Sequence, residues 1–89
     1  SIADKLDTIV GCFSIGIVPT GSQDPYGLRR MAAGIVAILL DRGWKLPLDR
    51  LWDAALDIYA AQGVTKRDRD EVKKDLADFF ALRLKNALQ

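Results

Sequence analysis

Apolar residues recur every three or four positions along almost the whole chain, and they nowhere alternate with polar residues at the two-residue period of a strand. The segment 2–15 shows the pattern most clearly, because its apolar residues fall on one stripe of a helix and its charged residues lie off it. That stripe consists of Ile2, Leu6, Ile9, Val10 and Phe13. The spacing predicts an all-α fold, a compact bundle of about four helices with short links.

Residues that break helices predict the limits of the second helix. Asp24 is expected to cap it, and Pro25 to take its first position, where a missing N–H costs nothing. Gly43 is its expected end. Residues 31–40 are apolar almost all round, which indicates the central helix of the bundle. Gly34 within it costs about 1 kcal/mol relative to alanine, and a close helix crossing is the expected compensation.

The third helix is expected to open at Pro47 and to end at Gly63. The fourth is expected to begin at Thr65, with Asp68 in the reciprocal capping position. The polar stretch 63–71 is the expected hinge between two subdomains. The predicted apolar faces are Leu48, Leu51, Trp52, Ala55, Ile58 and Tyr59 on the third helix, and Val72, Leu76, Phe79, Phe80, Leu84 and Leu88 on the fourth.

The composition excludes several classes of site. A net charge of +1 excludes a strongly basic wrap around nucleic acid, although a local basic face is compatible with it. Cys12 is the only cysteine and histidine is absent, which removes a disulfide framework, cysteine-based zinc clusters and the commonest general base. No apolar run approaches the roughly 20 residues that cross a bilayer, and no signal peptide is visible. A reducing, cytoplasmic setting is expected.

The loop after the first helix approaches, but misses, the pattern of a phosphate-binding loop. Gly16 and Gly21 have the glycine spacing of G-x-x-x-x-G-K-[ST], but Ser22 stands where the lysine is needed and no strand precedes it. Asp24 would also compete with a phosphate for the N-terminus of the next helix. We interpret the stretch as a helix connector, and a binding role for the loop is the alternative.

Arg29 and Arg30 are neighbours, so their side chains point about 100° apart on the second helix. They lie one turn into that helix, where the helix dipole gives a cation no benefit. A partner acid is therefore expected. It is Asp24, an acid on a neighbouring helix, or an external ligand.

Two other groups of charges are weaker candidates. Asp4 and Asp7 share a face of the first helix, and paired carboxylates bind metals or exchange protons, but a solvated face is the commoner arrangement. The basic residues of the fourth helix and its approach are interleaved with acids. They are Lys66, Arg67, Arg69, Lys73 and Lys74. We expect them to pair mostly at i,i+4 spacing on a solvated helix, with a phosphate-facing subset as the alternative.

Three stretches of the sequence closely resemble one family. They are A-D-K-L-D-T at 3–8, G-x-x-x-I-G at 11–16 and P-T-G-S-x-D-P-Y-x-L-R-R at 19–30. In their residues and in their order they resemble the β subunit of the bacterial tetrameric glycyl-tRNA synthetase, and the resemblance is strongest over residues 2–40. The pattern D-x-x-x-F-x-x-x-R-L-K at 75–85 looks like the start of that family's C-terminal anticodon-binding helical domain.

The resemblance implies an activity and partners. The family joins glycine to tRNA-Gly; ATP, with Mg²⁺, acts through the α subunit, and the β subunit mainly supplies tRNA binding. The implied partners are tRNA-Gly, the α subunit and the remaining β-subunit domains, with no cofactor in this stretch and no membrane. Because the chain lacks an initial Met and ends in helical rhythm, we expect an internal fragment without catalytic activity of its own.

Part of that β subunit is similar to HD-type phosphohydrolase helical domains. The resemblance implies an HD-like helical segment over 1–62, followed over 63–89 by a connector and a long helix that lead toward the anticodon-binding domain. Asp4, with Asp7 nearby, corresponds to the end of the H…HD…D metal motif. We expect Asp4 to be a relic that makes hydrogen bonds and holds no metal.

The candidate tRNA-binding residues are Thr20, Ser22, Arg29, Arg30, Lys66 and Arg67. A rigid loop with hydroxyls and backbone donors, followed by cations on a helix, suits a phosphate or the single-stranded acceptor end. Two alternatives stay open: a structural or subunit-docking module, and a degenerate HD-type metal phosphohydrolase. Exposed arginines beside the loop favour RNA, a large exposed apolar patch favours docking, and carboxylates that converge on an ion favour the hydrolase.

Overall fold

Four α-helices are found in the structure, a computed structural model that describes residues 2–24, 26–43, 48–63 and 65–88. They are α1 (Ile2–Ser14), α2 (Leu28–Arg42), α3 (Leu48–Ala61) and α4 (Arg69–Ala87). The all-α fold predicted from the sequence is confirmed, and these residues contain no strand beyond an isolated bridge between Thr20 and Gln23. No helix in the described part of the chain is long and apolar enough to cross a membrane.

Two helices, α1 and α4, each contact the other three. α2 contacts α1 and α4 but, among the described residues, not α3, and it leaves Ala33, Ala37 and Leu40 exposed. The prediction that α2 is the central helix is therefore wrong. Its composition misled because exposed alanines and single leucines are common on protein surfaces and do not require burial on every side.

The core lies between these helices. Its buried members are Leu6, Ile9, Val10, Phe13, Leu28, Ala32, Ile35, Val36, Trp52, Ala55, Leu56, Val72, Leu76 and Phe80. Aromatic rings join three of the helices: Phe13 of α1 meets Phe79 of α4 edge-on with centroids 5.1 Å apart, and Trp52 of α3 stacks on Phe80 at 5.9 Å. Such pairs stabilise beyond the area that they bury.

The buried face of α3 differs from the predicted one. Leu56 is buried, whereas Ile58 is 56% exposed and Leu51 is 36% exposed. The stacking of Trp52 on Phe80 fixes the rotation of the helix and turns Leu56, rather than Ile58, toward the core. The apolar pattern could not choose between these sides, because α3 carries apolar residues on both. Pro47, the predicted start of this helix, lies outside the described residues.

α2 begins three residues later than Pro25, its predicted first position. Gly27 precedes Leu28 with φ 66°, a left-handed conformation that interrupts a right-handed helix. Asp24 nevertheless caps the helix from a distance, because its carboxylate accepts the backbone N–H groups of Leu28 at 2.8 Å and Arg29 at 2.9 Å. Pro25 itself lies outside the described residues.

α4 also begins later than predicted. Asp68, not Thr65, is its N-cap, and the Asp68 carboxylate accepts the backbone N–H of Glu71 at 3.3 Å. The residues before it are held elsewhere, since the backbone N–H of Lys66 donates to the carbonyl of Ser14 at 2.9 Å. A tertiary contact therefore overrides the local capping signal at Thr65.

The closest packed glycine is Gly11, not Gly34. A Cβ added at Gly34 would meet only the end of the flexible Lys5 side chain, at 3.6 Å, so the predicted close crossing there is wrong. A Cβ added at Gly11 would lie 2.7 Å from the hydroxyl oxygen of Tyr59 on α3. Gly11 thus lets α1 approach α3 closely.

These two glycines should respond oppositely to alanine. Gly34→Ala should stabilise the chain by up to about 1 kcal/mol through helix propensity. Gly11→Ala should destabilise it by roughly 1 kcal/mol or more, because Tyr59 must shift out of an overpacked contact. The measurement is urea unfolding of the wild type and each variant. The cost of Gly11→Ala should shrink when Tyr59→Phe removes the clashing oxygen, and equal costs in both backgrounds would refute the contact.

Candidate nucleic-acid interface

The last carbonyl groups of α1 accept hydrogen bonds from residues more than 50 positions later in the sequence. The carbonyl of Ser14 accepts the backbone N–H of Lys66 at 2.9 Å, and the carbonyl of Phe13 accepts Nη1 of Arg67 at 3.0 Å. The last carbonyls of a helix have no partners within the helix, and a cation is favourable at that negative end. Lys66 therefore lies beside the point where the chain leaves α1 and enters the loop.

Arg67 is held by acids as well as by that carbonyl. Its Nη2 donates to Glu71 at 3.1 Å and makes a short contact with Asp75, and its side chain is only 17% exposed. The hydrogen bonds to Asp75, first, and to Glu71 raise the pKa of Arg67 above its ordinary value. The role of Arg67 in RNA binding stays a prediction. In the structure its guanidinium group binds groups within the chain.

Two basic residues of α4, Arg69 and Lys73, pair with residues of α3. Arg69 reaches across to α3, where Nη1 donates to Asp57 at 2.7 Å and Nη2 to the carbonyl of Asp53 at 3.1 Å. Lys73 pairs with the Asp53 carboxylate at 3.1 Å. The predicted i,i+4 pairing is realised by Arg67 with Glu71, while Arg69 and Lys73 fasten α4 to α3 instead.

The loop between α1 and α2 has a fixed backbone. Gly16 and Gly21 adopt φ values of 93° and 55°, which favour glycine. The backbone N–H of Ile17 donates to the Cys12 carbonyl at 2.8 Å. Thr20 and Gln23 exchange two backbone hydrogen bonds, of 3.0 and 2.7 Å. This tight turn leaves the hydroxyl-bearing residues Thr20 and Ser22 exposed.

Arg29 and Arg30 follow this loop in the first turn of α2. Arg30 is exposed and Arg29 is half-buried. Asp24 binds the backbone N–H of Arg29 rather than its guanidinium. Within the described residues neither guanidinium makes a hydrogen bond or an ion pair, and no hydrogen bond joins them to Lys66. Neither of the two internal partners expected from the sequence, Asp24 and an acid on a neighbouring helix, binds these guanidinium groups among the described residues.

The two acids of α1 make different hydrogen bonds. The Asp7 carboxylate accepts the hydroxyl of Tyr59 at 3.0 Å, and the Asp7 carbonyl receives the same hydroxyl at 3.3 Å. The Asp4 carbonyl accepts the Thr8 hydroxyl at 3.1 Å. No group of three acids or cysteines in the described part of the chain is arranged to hold a metal ion. Burial, and then the hydrogen bond to Asp7, raise the pKa of Tyr59.

The model of one family, described as glycyl-tRNA synthetase beta subunit, matches residues 1–89. The chain belongs to this family. It is 51% identical over 88 residues to the glycine–tRNA ligase beta subunit of Citrifermentans bemidjiense, covering 99% of this chain and 12% of that protein. No solved structure matches the chain.

Other relatives agree. The glycine–tRNA ligase beta subunits of Desulfitobacterium hafniense and Halalkalibacterium halodurans are 51% and 52% identical over 89 residues, all of this chain. The chain spans 13% of the length of each. The resemblance to the synthetase β subunit that the sequence suggested is therefore confirmed, while the likeness to HD domains and the division at residue 62 stay predictions.

The i,i+4 pairing of Arg67 was expected from the sequence, but its contacts with Asp75 and the Phe13 carbonyl in this member of the β-subunit family were missed. A signal for Asp75 was present, because Glu71 and Asp75 are four residues apart on one face of α4 and Arg67 stands four residues before Glu71. The contact with Phe13 was not readable, since it joins residues 54 positions apart. The contact of Gly11 with Tyr59 was hidden for the same reason.

Removal of the Arg67 side chain should destabilise the chain. Arg67→Ala leaves the Phe13 carbonyl and two acids without their donor, so we expect a loss of about 1–3 kcal/mol in the free energy of unfolding. Arg67→Lys should recover only part, because a point charge cannot reach three acceptors at once. Arg30→Ala, at an exposed site, is the control and should change stability by less than about 0.5 kcal/mol. Equal effects would argue against the internal role.

The Tyr59 hydroxyl should add a pH dependence at the alkaline end. Its pKa is raised in the folded chain, so its stabilising effect is complete below its ordinary pKa, near 10, and is lost as the pH rises through the folded value. The difference between the ultraviolet titration curves of the wild type and the Tyr59→Phe variant should place this ionisation above pH 10. Asp7→Asn should lower the pKa of Tyr59 only in part, since burial is the larger cause. A midpoint at the ordinary value would contradict the burial and hydrogen bond.

Proposed function

We propose that this chain is the part of a glycine–tRNA ligase β subunit that supplies tRNA contacts and a rigid helical scaffold. The full protein would join glycine to tRNA-Gly in the cytoplasm, with the α subunit as partner and with ATP and Mg²⁺ bound there. Membership of this family and the names of the relatives support this assignment. Because the chain spans about an eighth of those relatives, the activity belongs to the whole assembly.

The observation that carries the RNA role is the absence of any internal partner for Arg29 and Arg30 in the described residues. Both follow the fixed turn at Thr20 and Ser22, whose side chains are exposed. Arginines on a firm helix next to exposed hydroxyls suit RNA phosphates, which position a nucleic acid on its protein. Asp24 occupies the first N–H groups of α2, so the guanidinium groups, rather than the helix N-terminus, would contact the phosphate.

Lys66 is a further candidate for the same surface. It is exposed, and its backbone is fixed to Ser14 at the start of the loop. Arg67 would contribute indirectly, because its contacts with α1 hold Lys66 beside the loop. The hydrolase alternative gains no support from the described residues, in which Asp7 bonds to Tyr59.

Charge removal at the two arginines tests the proposal in the full α and β assembly. Arg29→Ala with Arg30→Ala should weaken tRNA-Gly binding by on the order of tenfold and lower the slope of log K against log salt by about 1 to 2. Filter binding across a series of salt concentrations gives both values. The glycine-dependent exchange of pyrophosphate into ATP, which needs no tRNA, should be unchanged.

A matched control removes the same charge elsewhere. Arg50→Ala with Lys85→Ala changes exposed residues in the first turn of α3 and near the end of α4, and should leave the salt slope unchanged. Unchanged tRNA binding in the arginine variant, with a lower unfolding temperature, would instead show that Arg29 and Arg30 are structural.

A further inference from the structure

An open apolar groove runs between α2, α3 and α4, on residues that the RNA surface does not use. Its volume is about 350 Å³. Leu40 of α2 and Leu84 of α4 stand at its edges, and Trp52 and Phe80 line it between them. Within the described residues nothing fills it, although a space of this size accepts two or three large aliphatic side chains.

Two leucines stand exposed at the edges of the groove. Leu40 is 43% exposed and Leu84 is 42% exposed, and each would gain from removal from water. Ala77 and Ala81, one helical turn apart on α4, are exposed and line the groove as well. Small side chains there let the backbone of another helix approach closely.

The floor of the groove is apolar and well packed. Trp52 is only 8% exposed and stacks on Phe80 with ring centroids 5.9 Å apart. Its indole Nε1 is enclosed and has no hydrogen-bond acceptor among the described residues, so it is not offered to the groove. The groove therefore presents apolar walls to a docking segment.

We propose that an apolar helical segment from elsewhere in the full-length β subunit docks in this groove. The relatives are about eight times as long as this chain, so most of the polypeptide that could cover the groove lies outside it. A tethered segment is present at an effective concentration on the order of millimolar, which favours it over a second copy of the chain. Large side chains spaced i, i+4 would fill the groove above Trp52 and Phe80.

Photo-crosslinking in the full-length subunit tests this directly. Benzoylphenylalanine in place of Ala81 should link to one apolar peptide of the same polypeptide, outside these 89 residues. Mass spectrometry of a sample that mixes isotope-labelled and unlabelled subunits would show that the link lies within one polypeptide. The same probe at Asn86, about 140° around the helix, should give no such link. A link to a second copy, to the α subunit or to residues within this chain overturns the proposal, and so does the absence of any link.

Blocking the groove gives a second readout. Ala81→Arg should accelerate amide hydrogen exchange at 36–40 and 77–84 at least tenfold in the full-length subunit, since docking no longer protects them. Asn86→Arg adds the same charge on another face and should leave this exchange unchanged. Equal exchange in the two variants contradicts docking. Neither result depends on the RNA role of Arg29 and Arg30.

Discussion

The end of α1 carries carbonyl groups that its own turn cannot all satisfy, and the way they are satisfied arranges the other helices. Lys66 and Arg67 supply the missing donors to Ser14 and Phe13. Because Arg67 also binds acids on the first two turns of α4, one guanidinium fixes the start of that helix against α1. Arg69 then ties the same turn to α3. The charged residues at the start of α4 thus connect three helices, α1, α3 and α4.

The sequence predicted those features of the fold that depend on neighbouring residues. The apolar stripe of α1 is buried as expected except for Ile2, which is half-buried. Gly43 ends α2 with φ 65° and an N–H that reaches the carbonyls of Leu39 and Leu40. It failed where distant contacts decide. Trp52 set the rotation of α3, and the contact of Lys66 with Ser14 moved the start of α4 to Asp68. Local patterns specify period and caps, but packing selects which apolar side faces inward.

The candidate site was predictable to a similar extent. Asp24 was expected to compete with a phosphate for the start of α2, and its carboxylate does accept the backbone N–H groups of Leu28 and Arg29 there. The family could be recognised from the amino-acid sequence of the loop, and the match of the family model to residues 1–89 confirms it. Which arginines face solvent could not be read, since Arg29, Arg30 and Arg67 are equally basic in sequence. In the folded chain, the guanidinium groups of Arg29 and Arg30 have no partner among the described residues, whereas that of Arg67 binds the Phe13 carbonyl and two acids.

The buried Ser14 has a consequence for the order of events during synthesis. Its hydroxyl donates back to the carbonyls of Val10 and Gly11, while its own carbonyl waits for Lys66. The end of α1 and the start of α4 are separated by more than half of the chain, so α1 leaves the ribosome long before its final donors exist. A nascent chain that stops short of Lys66 should keep this end frayed. The end of α1 therefore becomes complete only after the two residues that precede α4 by one turn, Lys66 and Arg67, have emerged.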